Sequence, residues 1–471
     1  MPSSILPRAA ACIVAAAALA LTPLTAHATA PVATTPTAVS PISGADQYGE
    51  VRGSLTTGSR YVLLTPATWN GTLLVWSPGY SGSAGGEAAA GPDAEVISWL
   101  LDEGYALAGS KPATAGWSVQ DLLAEQPQLA EVAAASLGTP THVVAWGSSM
   151  GGLTSVSLLE NNPSVFDAAL PLCGSVAGAI PMLNQSLDGA FALRMLLAPG
   201  DDRLELVDVQ NEPQRQAAFR EILDAAQATP QGRARIALAA SLAQIPPWTQ
   251  QGTLEPGRGD TAAQQEQLYR AFMFGVISPR EPLETRAGGN FSWNIGVDYS
   301  ASLRRSGNAQ LVRSLYAEAG LEVKSDLGVL ASADRISADP SAVAYMQDNA
   351  TPTGRISGPV LSLHETGDTA PTVAQAETYA ERVRHAGAGA QLRQAFVDRP
   401  GHCAYSEAEL AAVVDALQQR LDTGRWANVA TPRALNARAD QIAAESGLDR
   451  GEGTFAQHRP DAMLRPEREA D

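Results

Sequence analysis

Lysine is almost missing from this sequence: Lys111 and Lys324 are the only two, and arginine carries the rest of the positive charge. No dense basic run occurs, and the formal net charge is -17 at pH 7. Phosphate binding depends on clustered Lys and Arg, so nucleic acid is excluded as a partner. Attraction to an anionic lipid surface is excluded on the same ground. Cysteine is also scarce, with Cys12, Cys173 and Cys403 the full set. No two of them stand at metal-ligand spacing, and neither do the six histidines, so no metal site is expected. No glycine pattern follows a strand in the manner of a dinucleotide site, and no cofactor is expected. After the first two dozen residues, no apolar run is long enough to span a bilayer.

The start of the chain reads as an export signal. Arg8 gives a weak positive beginning, and an apolar run extends from Ala9 to about Leu24. Ala26-His27-Ala28 then places small residues at alternating positions, as a signal-peptidase site requires. Residues 1–28 are therefore expected to be removed and the protein to be secreted, with no membrane insertion afterwards. Residues 29–45, rich in Ala, Thr, Pro and Ser, read as a flexible mature N-terminus. Cleavage leaves Cys173 and Cys403, which an oxidising compartment allows to pair.

From about residue 46 the text alternates. Thr72–Trp76 and His142–Trp146 are continuous apolar runs, as expected of strands buried on both faces. Helical spacing lies between them at Glu95–Asp102 and Val119–Ser136. Strand–helix alternation means a parallel sheet with crossover helices, with the chemistry at the carboxyl ends of the strands. The pattern stops after Ala168–Leu172. Residues 175–355 are mostly helical, and alternation resumes over 356–422. This predicts an α/β core in two parts, 46–174 and 356–422, with a helical cap inserted between them. The tail, 423–471, reads as polar and irregular, pinned to the core by Phe455 and the Met463-Leu464 pair.

Gly147-Ser148-Ser149-Met150-Gly151-Gly152 follows directly on the strand ending at Trp146, and a helix-prone run follows it. This is G-x-S-x-G between a strand and a helix, the setting in which it forms a nucleophile elbow. The register of the glycines selects Ser149 over Ser148. A serine nucleophile needs a base. His142 begins its strand and so lies at the far edge of the sheet, His385 ends a helix, and His458 is in the tail. His364 ends a strand and falls near the site. His402 lies in Arg399-Pro400-Gly401-His402-Cys403, a loop after the last strand, and is the expected base. Asp368 stands after the strand at 359–363 and is the expected orienting acid, with Glu365 and Asp398 as competitors. The order Ser149, Asp368, His402 is that of the α/β-hydrolases. An oxyanion would be held by the N–H of Met150 and the N–H of Tyr80, the latter in the loop after Thr72–Trp76. Trp248, Phe272, Phe274, Phe291 and Trp293 in the cap are candidates for an apolar acyl pocket, against the alternative that they are cap core.

These residues resemble the secreted bacterial serine esterases and lipases of the α/β-hydrolase fold. The resemblance covers about 48–172 and 356–422. It rests on Ser77-Pro78-Gly79-Tyr80, Gly147–Gly151, Leu363–Asp368 and Gly401-His402-Cys403. It implies hydrolysis of a small-molecule or lipid-like ester through an acyl-enzyme on Ser149, with Asp368 and His402 completing the triad. Pro78 replaces the histidine often found in the family's oxyanion loop. Gly-His-Cys is also similar to tannases and feruloyl esterases, in which a cysteine beside the nucleophile bonds one after the histidine. Ser148 stands where that first cysteine would be. Cys173, at the end of the next strand, takes its place in the expected disulfide to Cys403. A serine exopeptidase on the same scaffold is the alternative enzyme reading. A binding module that kept the fold is the non-enzyme one.

Overall fold

The computed structural model describes residues 48–465. The expected signal peptide 1–28, its cleavage site, the expected flexible segment 29–45 and residues 46–47 lie outside the described residues, as do residues 466–471. The chain begins with three strands, β1 (Gly49–Ser54), β2 (Arg60–Thr65) and β3 (Thr72–Ser77). Then come α1 (Ala94–Asp102), β4 (Ala106–Lys111), α2 (Val119–Leu137), β5 (His142–Ser148), α3 (Met150–Asn161) and β6 (Ala168–Leu172). Nine helices follow before the sheet resumes. They are α4 (Ala179–Leu197), α5 (Glu212–Gln227), α6 (Pro230–Leu242), α7 (Thr261–Val276), α8 (Glu281–Ala287), α9 (Tyr299–Arg305), α10 (Ala309–Glu318), α11 (Val323–Ser332) and α12 (Pro340–Ala350). The remainder is β7 (Val360–Gly367), α13 (Ala374–His385), β8 (Leu392–Pro400), α14 (Glu407–Thr423), α15 (Pro432–Ser446) and β9 (Phe455–Ala456).

One sheet takes the order β1-β2-β4-β3-β5-β6-β7-β8-β9. Strands β3 to β8 run parallel to their neighbours, while β1, β2 and β9 pair antiparallel at the edges. Strands β3 and β6 are buried at every position, which is why they read as unbroken apolar runs rather than alternating ones. Successive side chains feed opposite faces. Leu74, Trp76, Val144 and Trp146 pack with helices α1, α14 and α15, while Leu73, Val75, Val143 and Ala145 pack with α2, α3 and α13. This order, with the crossover between β3 and β4 and a sharp turn after β5, is the α/β-hydrolase fold. The inserted helices have a core of their own, built on Phe191, Phe219, Ile236, Leu238, Phe272 and Tyr316.

The tail departs from the irregular segment expected. Thr431 caps α15 through its side chain, Pro432 begins it and Gly447 ends it in the left-handed region. Leu435, Ala439 and Ile442 line its buried face. Those cap signals were present in the sequence; the three apolar residues were too sparse to advertise a helix. Beyond it, β9 extends the sheet at β8, and residues 462–465 form a strap across the molecule. Gln244 exchanges hydrogen bonds with Ala462 O and Leu464 N (3.1 and 2.7 Å). Met463 N–H donates to Thr378 on α13 (3.2 Å). Arg465 ends the strap on Asp188 of α4, at 2.9 and 3.0 Å.

Candidate active site

The glycines around Ser149 are required by contact. Gly147 and Gly151 both face Ser77 O so closely that a Cβ at either position would collide with it, and one at Gly152 would lie 2.7 Å from Gly174 Cα. The chain can therefore turn between β3 and β6 with no side chains in the way. At the apex Ser149 takes φ 58° and ψ -116°, a conformation that costs about 1–3 kcal/mol and persists only where its surroundings enforce it. The Ser149 N–H donates to Leu172 O (2.9 Å), which helps fix the turn. Met150 is the first residue of α3, and N–H groups at a helix start have no intrahelical acceptor. A Cβ added at Gly79 would lie 3.5 Å from Ser149 Cβ, so the loop carrying Tyr80 runs against Ser149.

The imidazole arrives from the opposite side. His402 follows β8, and Gly401 (φ 113°) and Cys403 (φ 52°) on either side of it take positive φ. His402 Nδ1 donates to Asp368 Oδ2 at 2.8 Å. The Asp368 carboxyl is fully buried, and the His402 side chain remains 19% exposed. Asp368 Oδ1 accepts the Ala370 N–H at 3.0 Å, and His364 Nε2 lies 3.4 Å from Oδ2. Burial alone would raise the Asp368 pKa, but the charge and hydrogen bonds of the two histidines outweigh it and hold the carboxyl below its usual range. For His402, burial pulls down, while the charge and hydrogen bond of Asp368 and, once it is ionised, the charge of Glu365 push up; the net shift is upward.

A disulfide joins Cys403 to Cys173, 230 residues away in sequence, with Cα atoms 5.3 Å apart. Cys173 follows directly on Leu172, whose carbonyl holds the Ser149 N–H. A short covalent path thus links the His402 loop to the strand end that holds the Ser149 turn. Cys173, His402 and Cys403 place their ligand atoms within 4.8 Å of one another. Both sulfurs are consumed by the disulfide, so this group does not suit a metal.

The five cap aromatics separate. Phe274 is 52% exposed, and its ring centroid lies 5.6 Å from that of His402. Phe272 and Phe291 are wholly buried. The former belongs to the cap core and the latter to the cluster that holds Met150, so neither lines a pocket. Two residues along a helix are roughly 200° apart, and this is why Phe272 turns inward while Phe274 turns out. Trp293 packs at the edge of the Met150 cluster with Arg465 over its ring, 6.0 Å from the centroid. Trp248 lines a cavity of about 440 Å³ with Gly367, Asp398 and His458; Ser149 and His402 are not among its walls. Of the competitors for the acid's role, Asp398 accepts from Thr366 (3.1 Å), and Glu365 is buried beneath the histidine loop. Tyr405, not singled out in the sequence, donates to Leu363 O (3.0 Å) and lies beside Glu365. Its position three residues after His402 was the only signal available.

No family model matches the chain. An o-phthalyl amidase of Xanthobacter agilis is 30% identical to it over 426 residues, 83% of this chain and 91% of that protein. The chain belongs to the family of that amidase. It is a hydrolase of the α/β-hydrolase type. Among solved structures, the rice cell wall degrading esterase LipA from Xanthomonas oryzae is 16% identical, over 80% of this chain and 90% of that one, with a TM-score of 0.35. Feruloyl esterase B from Aspergillus oryzae is 14% identical, over 83% of this chain and 86% of that one, with a TM-score of 0.37. No helix among the described residues of this hydrolase is long and apolar enough to cross a membrane.

Proposed function

We propose that this protein is a secreted serine hydrolase that cleaves carboxylic esters through an acyl-enzyme on Ser149. The observation that carries the reading is the 2.8 Å bond from His402 Nδ1 to the buried Asp368 carboxylate, in a loop tied covalently beside the Ser149 turn. The bond fixes the tautomer, leaving Nε2 free to accept a proton. Ser149 Oγ gives its proton to Nε2 and attacks the carbonyl carbon. The N–H groups of Met150 and Tyr80 receive the oxyanion. His402 then gives the proton to the leaving oxygen, and the C–O bond breaks. Water repeats the sequence on the acyl-enzyme and releases the acid and free Ser149. The disulfide fits an oxidising compartment, and with it export.

The curated relative favours a second reading, in which the scissile bond is an amide of an aromatic acid and His402 protonates a leaving nitrogen. The two readings share every residue. Ester and anilide substrates with matched acyl groups separate them by kcat/KM. Ser149→Ala is expected to lower kcat by about 10⁴-fold or more, and a fluorophosphonate is expected to label Ser149. Near-normal turnover in that variant would sink both readings.

A further inference from the structure

Glu365 is a buried carboxyl at this site that the proposed mechanism does not use. It lies near the end of β7, three residues before Asp368, and is wholly inaccessible to solvent. One of its oxygens accepts the Ala404 N–H, in the loop that carries His402. The other, equally buried, has no partner. The groups that face it are His364 from β7, Asp368 just after β7, and His402 and Tyr405 from the loop after β8. Among the described residues no arginine or lysine is paired with it.

Two carboxylates in one dry site cannot both ionise without a cation to share. Asp368 collects His402 Nδ1, His364 Nε2 and the Ala370 N–H. Glu365 has one backbone donor and, beside it, the Tyr405 hydroxyl, whose hydrogen goes to Leu363 O. The charge therefore falls to Asp368 and the proton to Glu365.

We propose that Glu365 is a positioning residue: as a neutral acid it holds the His402 loop against β7 and leaves Asp368 the sole anion facing the imidazole. The proposal rests on the Ser149–His402–Asp368 reading above. Its ionisation would set a second negative charge beside His402, stabilise the imidazolium and make the free base scarcer. It would also leave a bare charged oxygen in the core. Burial first, and the Asp368 charge second, push the Glu365 pKa up to about 7. A carboxyl whose pKa rises on folding favours the fold at low pH and opposes it as pH rises through the folded value.

The test is a pH profile of kcat and KM for wild type, Glu365→Gln and Glu365→Ala with one chromogenic substrate. A wild-type-minus-Gln infrared difference spectrum is taken alongside. Gln keeps the acceptor and the neutral state, so a loss of about threefold is expected at pH 6.5, with the alkaline limb moved to higher pH than in wild type. Ala is expected to lose about tenfold or more in kcat with KM within about twofold. The difference spectrum is expected to show a protonated carboxyl band at pH 6 that fades as pH rises. The proposal is overturned by a Gln profile that superimposes on wild type, by a Gln loss as deep as that of Ala, by absence of the band, or by failure of the Gln variant to fold. The infrared readout does not depend on turnover. A missing band therefore counts against Glu365 alone, whereas an active Ser149→Ala counts against the triad.

Discussion

The two sides of the site are held by different means. The serine side is held by backbone: a strand, a turn with no room for a Cβ at Gly147, Gly151 or Gly152, and a helix, consecutive in sequence. The histidine side is held by side chains from distant sequence. Asp368 directly follows β7, Glu365 bonds the Ala404 N–H, Cys173 directly follows β6, and Arg399 reaches back to Ala404 O. A backbone device is compact and tolerates almost no substitution. A side-chain device spreads its stability over several contacts, so each can fail separately and by degrees.

Substitutions on each side sharpen that contrast. The largest effect is expected from Asp368→Asn, which keeps the shape but loses the charge and lets the imidazole adopt the wrong tautomer. A fall of about 10⁴-fold in kcat is expected, measured with a chromogenic substrate. The same variant tests the pH assignment. In wild type His402 is raised, so its neutral, base form appears only as pH climbs beyond the ordinary histidine value of about 6.5. The acid limb of kcat/KM should lie above that value, and Asp368→Asn should move it down. By the same sign, the ion pair's contribution to stability through His402 is complete below pH 6.5 or so and is lost as pH rises through the folded pKa. Its contribution through Asp368, whose pKa is lowered, is present above about pH 4 and lost as pH falls through the folded value.

Gly151→Ala comes next. Its methyl would press on Ser77 O, and a displacement of the nucleophile by an ångström costs about 10²-fold, read as kcat with a melting curve as control. Cys403→Ser should act the other way round, with stability hit harder than chemistry. A loss of about 2–5 kcal/mol in denaturant unfolding is expected, with activity retained at low temperature. Equal losses of kcat in the two variants would erase the distinction between the two sides. Phe274→Ala should be the mildest. Its half-exposed ring lies 5.6 Å from that of His402, centroid to centroid, so a change of about fivefold in kcat/KM is expected, close to 1 kcal/mol.

The same contrast explains what could be read in advance. The elbow is local, and its glycines, flanking strand and following helix stand next to one another in the text, so Ser149 could be named with its reason. Strands β3, β5 and β6 were legible because a strand buried on both faces admits only apolar residues. His402 and Asp368 were singled out by their places after strands, a weaker clue, and the fold brings the two side chains to 2.8 Å. Glu365 was visible only as a rival to Asp368, because burial and a bare oxygen are properties of the folded site and leave no trace in spacing. The cap aromatics were not separable, since helical phase alone distinguishes Phe272 from Phe274 and nothing in the sequence says which phase faces the sheet. Helix α15 hid behind its polar face, although Thr431-Pro432 and Gly447 marked both ends.

The strap through Arg465 has a consequence for the order in which the chain can settle. Asp188 is buried within α4, and the guanidinium that bonds it arrives 277 residues later. Until then the carboxylate has the Tyr299 hydroxyl as a bonded donor (2.9 Å) but not its ion-pair partner. A chain made from the N-terminus therefore completes the cap helices before the guanidinium that bonds Asp188 is made. The pairing of Asp188 thus depends on a residue that follows every helix of the cap in sequence.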